Sequence, residues 1–455
     1  MPALAGRNHS ATAERPARQL TVANLLQQYA MDFVLKHPRQ AVPQVQSTLA
    51  KLSLCRTAAL GGRKLQCPSC DHQAIVYNSC GDRHCPRCRG AKRAEWLGKT
   101  EELVLPQVTY FQVVFTLPDL LSPLILGNRR ATYALLMRTA WRALKEVLRE
   151  EQGIEPAAMM VLHTWNQELD HHPHVHTLVA GGGPSLDGTR WINTRHPRQR
   201  RRKKPYLANN RRLQEKFKEH FCDGLKRLHR KGLIEFEPPV LPARDDEDRD
   251  EPDFSEWTDR LVQRDWNVFI EAPPENSQPE HMLKYLARYL TGGPIADGRL
   301  ISHEKGEITF WARGKNKSAG NQPRRFTLPG VEFARRWAMH ILPKGFTKTR
   351  CYGGYSCRHR ADYLQRCRQL LRIVEPAAEL ASEPPLEDEP LDQPRACPHC
   401  QTEMICVASP LRPSWRDLFN KHATCPPWYQ PSLSISRNAS PRIRGPDSIG
   451  SSCSP

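Results

Sequence analysis

Apolar positions change their spacing several times along the chain, and each change predicts a different kind of element. From Thr21 to about Leu54 the spacing is helical, with Leu25, Phe33 and Val34 set among polar residues. TYFQVVFTLP, ending at Pro118, is an apolar, β-rich run closed by proline, and the following RATYALLMRTAWRALKEVL predicts a helix. MMVLHTWNQEL and HPHVHTLVAGGG predict two short strands around a turn at Asp170–Pro173, stopped by glycines. DWNVFIEAPP predicts another strand, PEHMLKYLARYLTGG a helix ended by glycine, and GEITFWAR a further strand. Strands and helices mixed without a regular βαβ alternation predict an α+β fold, a sheet with helices packed against it.

The segments between these elements are compositionally distinct. Residues 1–20 read as a loose tail, and Cys55–Cys88 is dense in cysteine, glycine and histidine, as expected of a small module held by metal. A strongly basic insert lies between Arg190 and Arg212, and an acidic, solvated loop between Arg244 and Glu251. Beyond Val374 a proline-rich acidic stretch predicts a linker, and the last residues, rich in serine and proline, predict disorder. The resulting division is an N-terminal helical segment (1–54), a zinc-binding domain (55–100), a catalytic domain (101–374) and a disordered tail (375–455).

Charge narrows the class of partner. Lysine and arginine number 67 against 48 acidic residues, a formal net charge of +19, which points to a polyanion and most simply to DNA. No apolar run is long enough to span a membrane, and the N-terminus lacks the apolar core of a signal peptide, so no membrane partner is expected. A cytoplasmic protein, associated with the nucleoid when bound to DNA, is the expectation. In that reducing setting 15 cysteines suggest metal ligands rather than disulfides.

Cys67-Pro-Ser-Cys70 and Cys85-Pro-Arg-Cys88 are two Cys-x-x-Cys knuckles, each of which sets two thiolates on one side of a tight turn. Together they could complete one tetrahedral, structural zinc site with no open position. Cys55, His72, Cys80 and His84 are candidates for a second zinc site, against the plainer reading of buried cysteine and surface histidine. Cys397-Pro-His-Cys400 has no evident second pair. Arg83, Arg87, Arg89, Lys92 and Arg93 around the last knuckle are candidates for phosphate contacts. So are Arg198, Arg200, Arg201, Arg202, Lys203 and Lys204 of the basic insert.

His174-Val175-His176 sits in a predicted strand, where residues i and i+2 share a face, so both imidazoles can converge on one cation. Tyr285 and Tyr289 stand at i and i+4 of the predicted helix, beside its apolar stripe rather than at its centre, together with His281 and Arg288. A tyrosine hydroxyl, with a pKa near ~10, is a weak nucleophile at neutral pH. A divalent metal on His174 and His176 could polarise a scissile phosphate and ease the attack. Two histidines leave that metal short of ligands; Gln167 or His281 could supply a third.

These residues, in this order, resemble the two-tyrosine HUH transposases of rolling-circle insertion sequences, which carry an N-terminal transposase zinc-binding domain. The resemblance rests on LSLCRTAALGG, CPSC, YNSCGDRHCPRC, YFQVVFTLP, LHTWNQELDHHPHVHTLVAGGG, KYLARYLTGG and LPKGFTKTRCYGG, from Leu52 to about Leu371. It implies an HUH endonuclease fold with a central antiparallel sheet, metal histidines at His174 and His176, and nucleophiles at Tyr285 and Tyr289. It also implies magnesium or manganese as the catalytic cation and element ends recognised as single strands or hairpins. The alternatives are a rolling-circle replication initiator of a plasmid or phage, and a zinc-dependent DNA-binding regulator without catalysis.

Overall fold

Thr21 accepts a hydrogen bond from the Asn24 backbone N–H and so starts the helix Val22–Lys36. Pro43 occupies the opening turn of the next helix, Pro43–Ser53, where its missing N–H costs nothing. The helical stretch is therefore two helices with a break at His37–Val42. The computed structural model describes residues 20–88, 98, 100, 103–196, 205–236, 253–272, 293–313, 322–373, 396–409 and 412–420. Among these residues no helix is long and apolar enough to cross a membrane.

A hairpin of β1 (Gly62–Gln66) and β2 (Gln73–Tyr77) follows the two helices. Next come β3 (Tyr110–Thr116), the short helix Ser122–Gly127 and the long helix Arg129–Gln152. Gly153, at φ 68°, ends that long helix in the left-handed conformation that glycine adopts without steric cost. β4 (Ala157–Trp165) and β5 (His171–Ala180) form a hairpin, and the short strands β6 (Gly182–Pro184) and β7 (Trp191–Asn193) pair beyond it. After the helices Asn210–Arg230 and Phe254–Gln263 come β8 (Asn267–Glu271), then β9 (Leu300–Glu304), β10 (Glu307–Arg313) and β11 (Pro323–Pro329). The helix Gly330–Met339, β12 (Thr349–Gly353) and the helix Arg360–Leu371 follow. β13 (Ile405–Ala408) and the helix Trp415–Asn420 come last. The fold is α+β, with antiparallel sheets and helices packed on them.

The central sheet has the order β12-β4-β5-β3-β8, with every neighbouring pair antiparallel. Strand alternation divides its residues between two faces. Phe111, Val113 and Phe115 of β3, Ala158, Met160 and Leu162 of β4, and Val175 and Val179 of β5 are buried in one core. That core contains the helices Arg129–Gln152 and Asn210–Arg230, through Leu136, Ala140, Phe217 and Phe221. The opposite face is apolar at one end, where Tyr110, Met159, Val161, Leu178 and Ala180 pack with Tyr363, Leu364 and Cys367. Its other end carries the histidines.

The turn of the β4–β5 hairpin lies earlier than the pattern predicts, at Asn166–Asp170. The Asn166 side-chain oxygen accepts from the backbone N–H groups of Glu168 (2.9 Å) and Asp170 (2.8 Å), and Leu169 takes a φ of 66°. An asparagine that binds its own backbone two and four residues on makes a turn by itself. Pro173, read as a turn residue, instead lies inside β5 and its carbonyl accepts from Leu117 N–H.

The N-terminal helices do not form a separate unit. Leu25, Leu26, Phe33 and Leu49 share a core with Ile308, Phe310, Phe333 and Trp337, and Val22 N–H reaches the Asp297 carboxylate at 2.8 Å. The tail predicted from residue 375 onward is not uniformly disordered either. β13 pairs antiparallel with β1, and Leu418 is buried in the N-terminal core. The strand β13, four residues long, is too short for its pattern to register in the sequence.

Two further histidines are buried neutral. His171 lies between Tyr133 Oη (2.9 Å) and Ser122 Oγ (3.0 Å), and burial pushes its pKa down to about 3. His340 donates to the Leu169 carbonyl (3.1 Å) with Thr164 Oγ1 at its other nitrogen (3.1 Å), and burial likewise lowers it to about 3. Both pKa values lie below that of an unfolded histidine, ~6.5, so the unfolded chain takes up protons first. Stability should be fully present above about pH 6.5 and decline as pH falls towards 3. Urea unfolding at a series of pH values should show a midpoint that drops below pH 6.5; a flat midpoint from pH 7 to 4.5 would contradict this.

Candidate active site and metal centres

The β4–β5 register places His163 directly opposite His174, and the β3–β5 register places Thr116 opposite His174 and Val114 opposite His176. Because paired residues share a face, His163, His174 and His176 all project from the side away from the helical core, with Val175 buried behind them. Their ligand nitrogens lie within 4.8 Å of one another. The Nε2 atoms of His174 and His176 are 3.1 Å apart. Two ligands at ~2.1 Å and right angles on one octahedral ion would be about 3 Å apart, so the spacing fits a shared cation.

The surroundings set the tautomers for that role. His174 Nδ1 donates to the His172 carbonyl at 2.7 Å, which leaves its Nε2 lone pair facing the cluster. The Gln112 side-chain amide sits 3.1 Å from His176 Nδ1. With the amide oxygen on that side it accepts from Nδ1–H, frees Nε2 of His176 as a ligand and gives the buried Oε1 a partner it otherwise lacks. Burial holds His174 well below the usual histidine range, with His176 adding to the effect. It lowers His176 to about 4, with Lys348 as a second cause. Both rings are neutral at pH 7, as metal ligands must be. Lys348 also lies 5.0 Å from the centre of the Trp165 ring, which itself stacks on His163 at 4.6 Å.

Gln167, one candidate for the third ligand, lies in the exposed hairpin turn, its backbone carbonyl accepting from Arg299. His281, the other candidate, lies outside the described residues, as do Tyr285, Arg288 and Tyr289. His163 escaped the sequence reading because of the misplaced turn. A turn centred on Asp170–Pro173 would pair His163 with a residue near Ala180, roughly six positions from His174. The Asn166 turn signal was the available clue.

The cysteines are distributed differently from the expected pairing. Cys85 and Cys88 meet Cys55 and Cys80, whereas Cys67 and Cys70 meet Cys397 and Cys400. The two N-terminal knuckles therefore do not share a site. Strands β1 and β2 carry Cys67 and Cys70 to the far end of the hairpin, while the turn after Tyr77 returns Cys80 to Cys55 at the end of the helix Pro43–Ser53. In the first group Cys55–Cys88, Cys80–Cys88 and Cys85–Cys55 are each 3.6 Å between sulfurs. Tetrahedral zinc with Zn–S of ~2.3 Å sets its sulfurs about 3.8 Å apart, so these four thiolates fit a structural zinc ion. Hydrogen bonds from Cys80 and Cys85 pull the Cys55 thiol down to about 7.

His72 and His84 are not in either group. His72 packs against the His399 ring at 4.5 Å. His84 Nδ1 is 3.0 Å from Asp82, and its Nε2 accepts from Leu342 N–H at 3.1 Å. The His84 ring is thus held by a carboxylate and a backbone N–H rather than by the cysteine cluster.

Comparison with known proteins gives a consistent result. Residues 157–362 match a family described as "Putative transposase", and residues 25–117 match a transposase zinc-binding domain. A protein named "Putative transposase y4qJ", from Sinorhizobium fredii, is 34% identical over 394 residues, covering 85% of this chain and 94% of that protein. The chain belongs to this transposase family. The transposase for insertion sequence element IS801 of Pseudomonas savastanoi pv. phaseolicola is 26% identical over 335 residues, 72% of this chain and 74% of that protein. No solved structure matches.

In this transposase the first family match begins at β4, so it contains the whole histidine hairpin. The zinc-binding match contains Cys55, Cys80, Cys85 and Cys88, whose clustering supports a structural zinc ion. Two arginines expected to face DNA donate to acceptors within the protein, Arg83 while remaining exposed. Arg83 donates to the carbonyls of Pro343 (3.0 Å) and Phe346, and Arg87 to those of Cys55 (2.9 Å) and the Asn24 side chain (2.5 Å). They fasten the zinc module to its neighbours, because unsatisfied carbonyls at loop ends compete with phosphate for a guanidinium. Arg89, Lys92, Arg93, Arg198, Arg200, Arg201, Arg202, Lys203 and Lys204 lie outside the described residues.

Titration of the zinc-loaded protein with manganese, followed by calorimetry, should find one site at the histidines. His163→Ala should weaken it at least as much as Gln112→Ala, for which about 10–100-fold is expected of a partner that orients a ligand. Gln167→Ala should leave it unchanged. An effect of Gln167→Ala equal to that of His163→Ala would refute this ligand set.

Proposed function

We propose that this transposase cuts and rejoins single DNA strands through a tyrosine, at a divalent cation held by His163, His174 and His176. The observation that supports the reading is the convergence of three imidazoles, those of His174 and His176 held neutral by burial, at one end of the sheet face beside Lys348. Magnesium or manganese bound there would draw charge from the phosphate oxygens and lower the cost of charge build-up in the transition state.

The chain's own residues supply the rest. Tyr285, with Tyr289 as the second nucleophile, attacks the scissile phosphorus through its hydroxyl oxygen and gives up its proton. The tyrosine–phosphorus bond forms as the bond to the 3′ oxygen breaks, and that oxygen takes up a proton. The products are a 5′-phosphotyrosine link and a free 3′ hydroxyl. The phosphodiester energy is retained in the link, so reversal on a different 3′ hydroxyl joins strands without ATP. Lys348 places a positive charge on the same side of the sheet as the phosphate would occupy. Two nucleophiles suit a rolling-circle route, in which a second cleavage precedes resolution of the first link. The substrates would be element ends presented as single strands or hairpins.

The test is a cleavage assay on labelled single-stranded DNA from an element end, with manganese or magnesium. An adduct that survives denaturing electrophoresis should form with the wild type and vanish in Tyr285→Phe/Tyr289→Phe. It should fall by at least about tenfold in His163→Ala, in line with lost metal affinity. An adduct that persists in the double tyrosine variant would reject the assigned nucleophiles.

A further inference from the structure

We propose that Cys67, Cys70, Cys397 and Cys400 bind a second zinc ion, which fastens the segment 396–420 onto the N-terminal module. The transposase zinc-binding match ends at residue 117 and so contains only two of these four ligands. The other two arrive from a part of the chain more than 300 residues away, across the end of the catalytic domain.

The sulfur geometry favours an ion over a disulfide. Cys67–Cys400 is 3.4 Å, Cys70–Cys397 3.5 Å and Cys70–Cys400 3.6 Å. A disulfide needs ~2.05 Å, whereas sulfurs around tetrahedral zinc stand about 3.8 Å apart. Zinc would displace the thiol protons to solvent and change no oxidation state.

The two halves of the site are built alike. Each is Cys-Pro-x-Cys, and in each the first cysteine's N–H donates to the carbonyl five residues on. Cys67 reaches His72 and Cys397 reaches Thr402, both at 2.8 Å. The residue after the second cysteine donates back to the first, Asp71 to Cys67 at 3.1 Å and Gln401 to Cys397 at 2.9 Å. Asp71 and Gln401 both adopt positive φ, 54° and 62°, a conformation that costs any residue but glycine. The same strained turn at the same place in two unrelated stretches of chain is what a pair of metal knuckles requires.

Apart from the pairing of β13 with β1, few apolar contacts hold the segment at this end. The apolar cluster around the site consists of Leu65, Cys67, Cys397 and Met404 among buried residues, and β13 is exposed along its length. Beyond β13 the segment runs to the first zinc site, where Arg412 donates to the Cys80 carbonyl at 3.2 Å, and Leu418 enters the N-terminal core. The segment thus bridges both metal centres, and the second ion anchors its near end.

The test measures zinc in the full-length protein under reducing conditions. Native mass spectrometry should find two zinc ions per chain in the wild type and one in Cys397→Ser/Cys400→Ser. One ion in the wild type, or two in the double variant, would overturn the proposal. Alkylation of the wild type gives a reading that does not depend on the variant folding. Cys397 and Cys400 should be protected together with Cys67 and Cys70 until a chelator is added, while exposed Cys357 reacts at once. Equal alkylation rates at Cys400 and Cys357 in the zinc-loaded protein would also overturn it.

Discussion

The β4–β5 register is the constraint on which the candidate site depends. Side chains alternate across a strand, so a slip of one residue would send His174 and His176 into the helical core and bring Val175 to the open face. The core prevents that slip. Val175 and Val179 fill space against Phe217 and the helix Arg129–Gln152, and burying either histidine in their place would cost several kcal/mol without a hydrogen-bond partner. The hairpin turn gives the same register from the other end, through Asn166 and its two backbone bonds. The turn is held in addition by Arg336, which reaches Asp170 at 2.6 Å, and by Arg324, which pairs with Glu168.

The face that carries the histidines is divided by polarity along its length. At one end Met159, Val161 and Leu178 are covered by the helix Arg360–Leu371; at the other stand the imidazoles of His163, His174 and His176. The apolar end contributes stability, and the polar end is left for chemistry. Burial lowers the pKa of His174 and His176, which keeps them neutral and able to bind a cation at pH 7.

The N-terminal part solves a different problem. A module with two short strands and a few turns buries too little apolar surface to be stable alone, and structural zinc commonly supplies ~10–16 kcal/mol of apparent binding energy in such cases. Here the module also leans on its surroundings. Arg83 and Arg87 use their donors on backbone carbonyls, and the first two helices share a core with the sheet β9–β11 and the helix that follows it. The zinc module and the catalytic part therefore meet through a packed, hydrogen-bonded contact rather than a linker.

Local pattern was enough for much of this. The α+β class, the strands β3, β4, β5, β8 and β10, the long helix after β3 and the shared face of His174 and His176 all follow from periodicities of two and 3.6 residues. The cysteine knuckles identified zinc, because two thiolates on a tight turn is a local property. What local pattern could not supply was the identity of partners distant in sequence. His163 joins His174 only through strand pairing, and Cys67 meets Cys400 only because β13 returns to β1. Likewise only neighbours in space show that Arg83 donates to loop carbonyls. Sequence by itself determined which groups this protein has that can ligate a metal. Tertiary structure decided which of them meet, since a ligand set is closed by contacts between residues that no short-range periodicity relates.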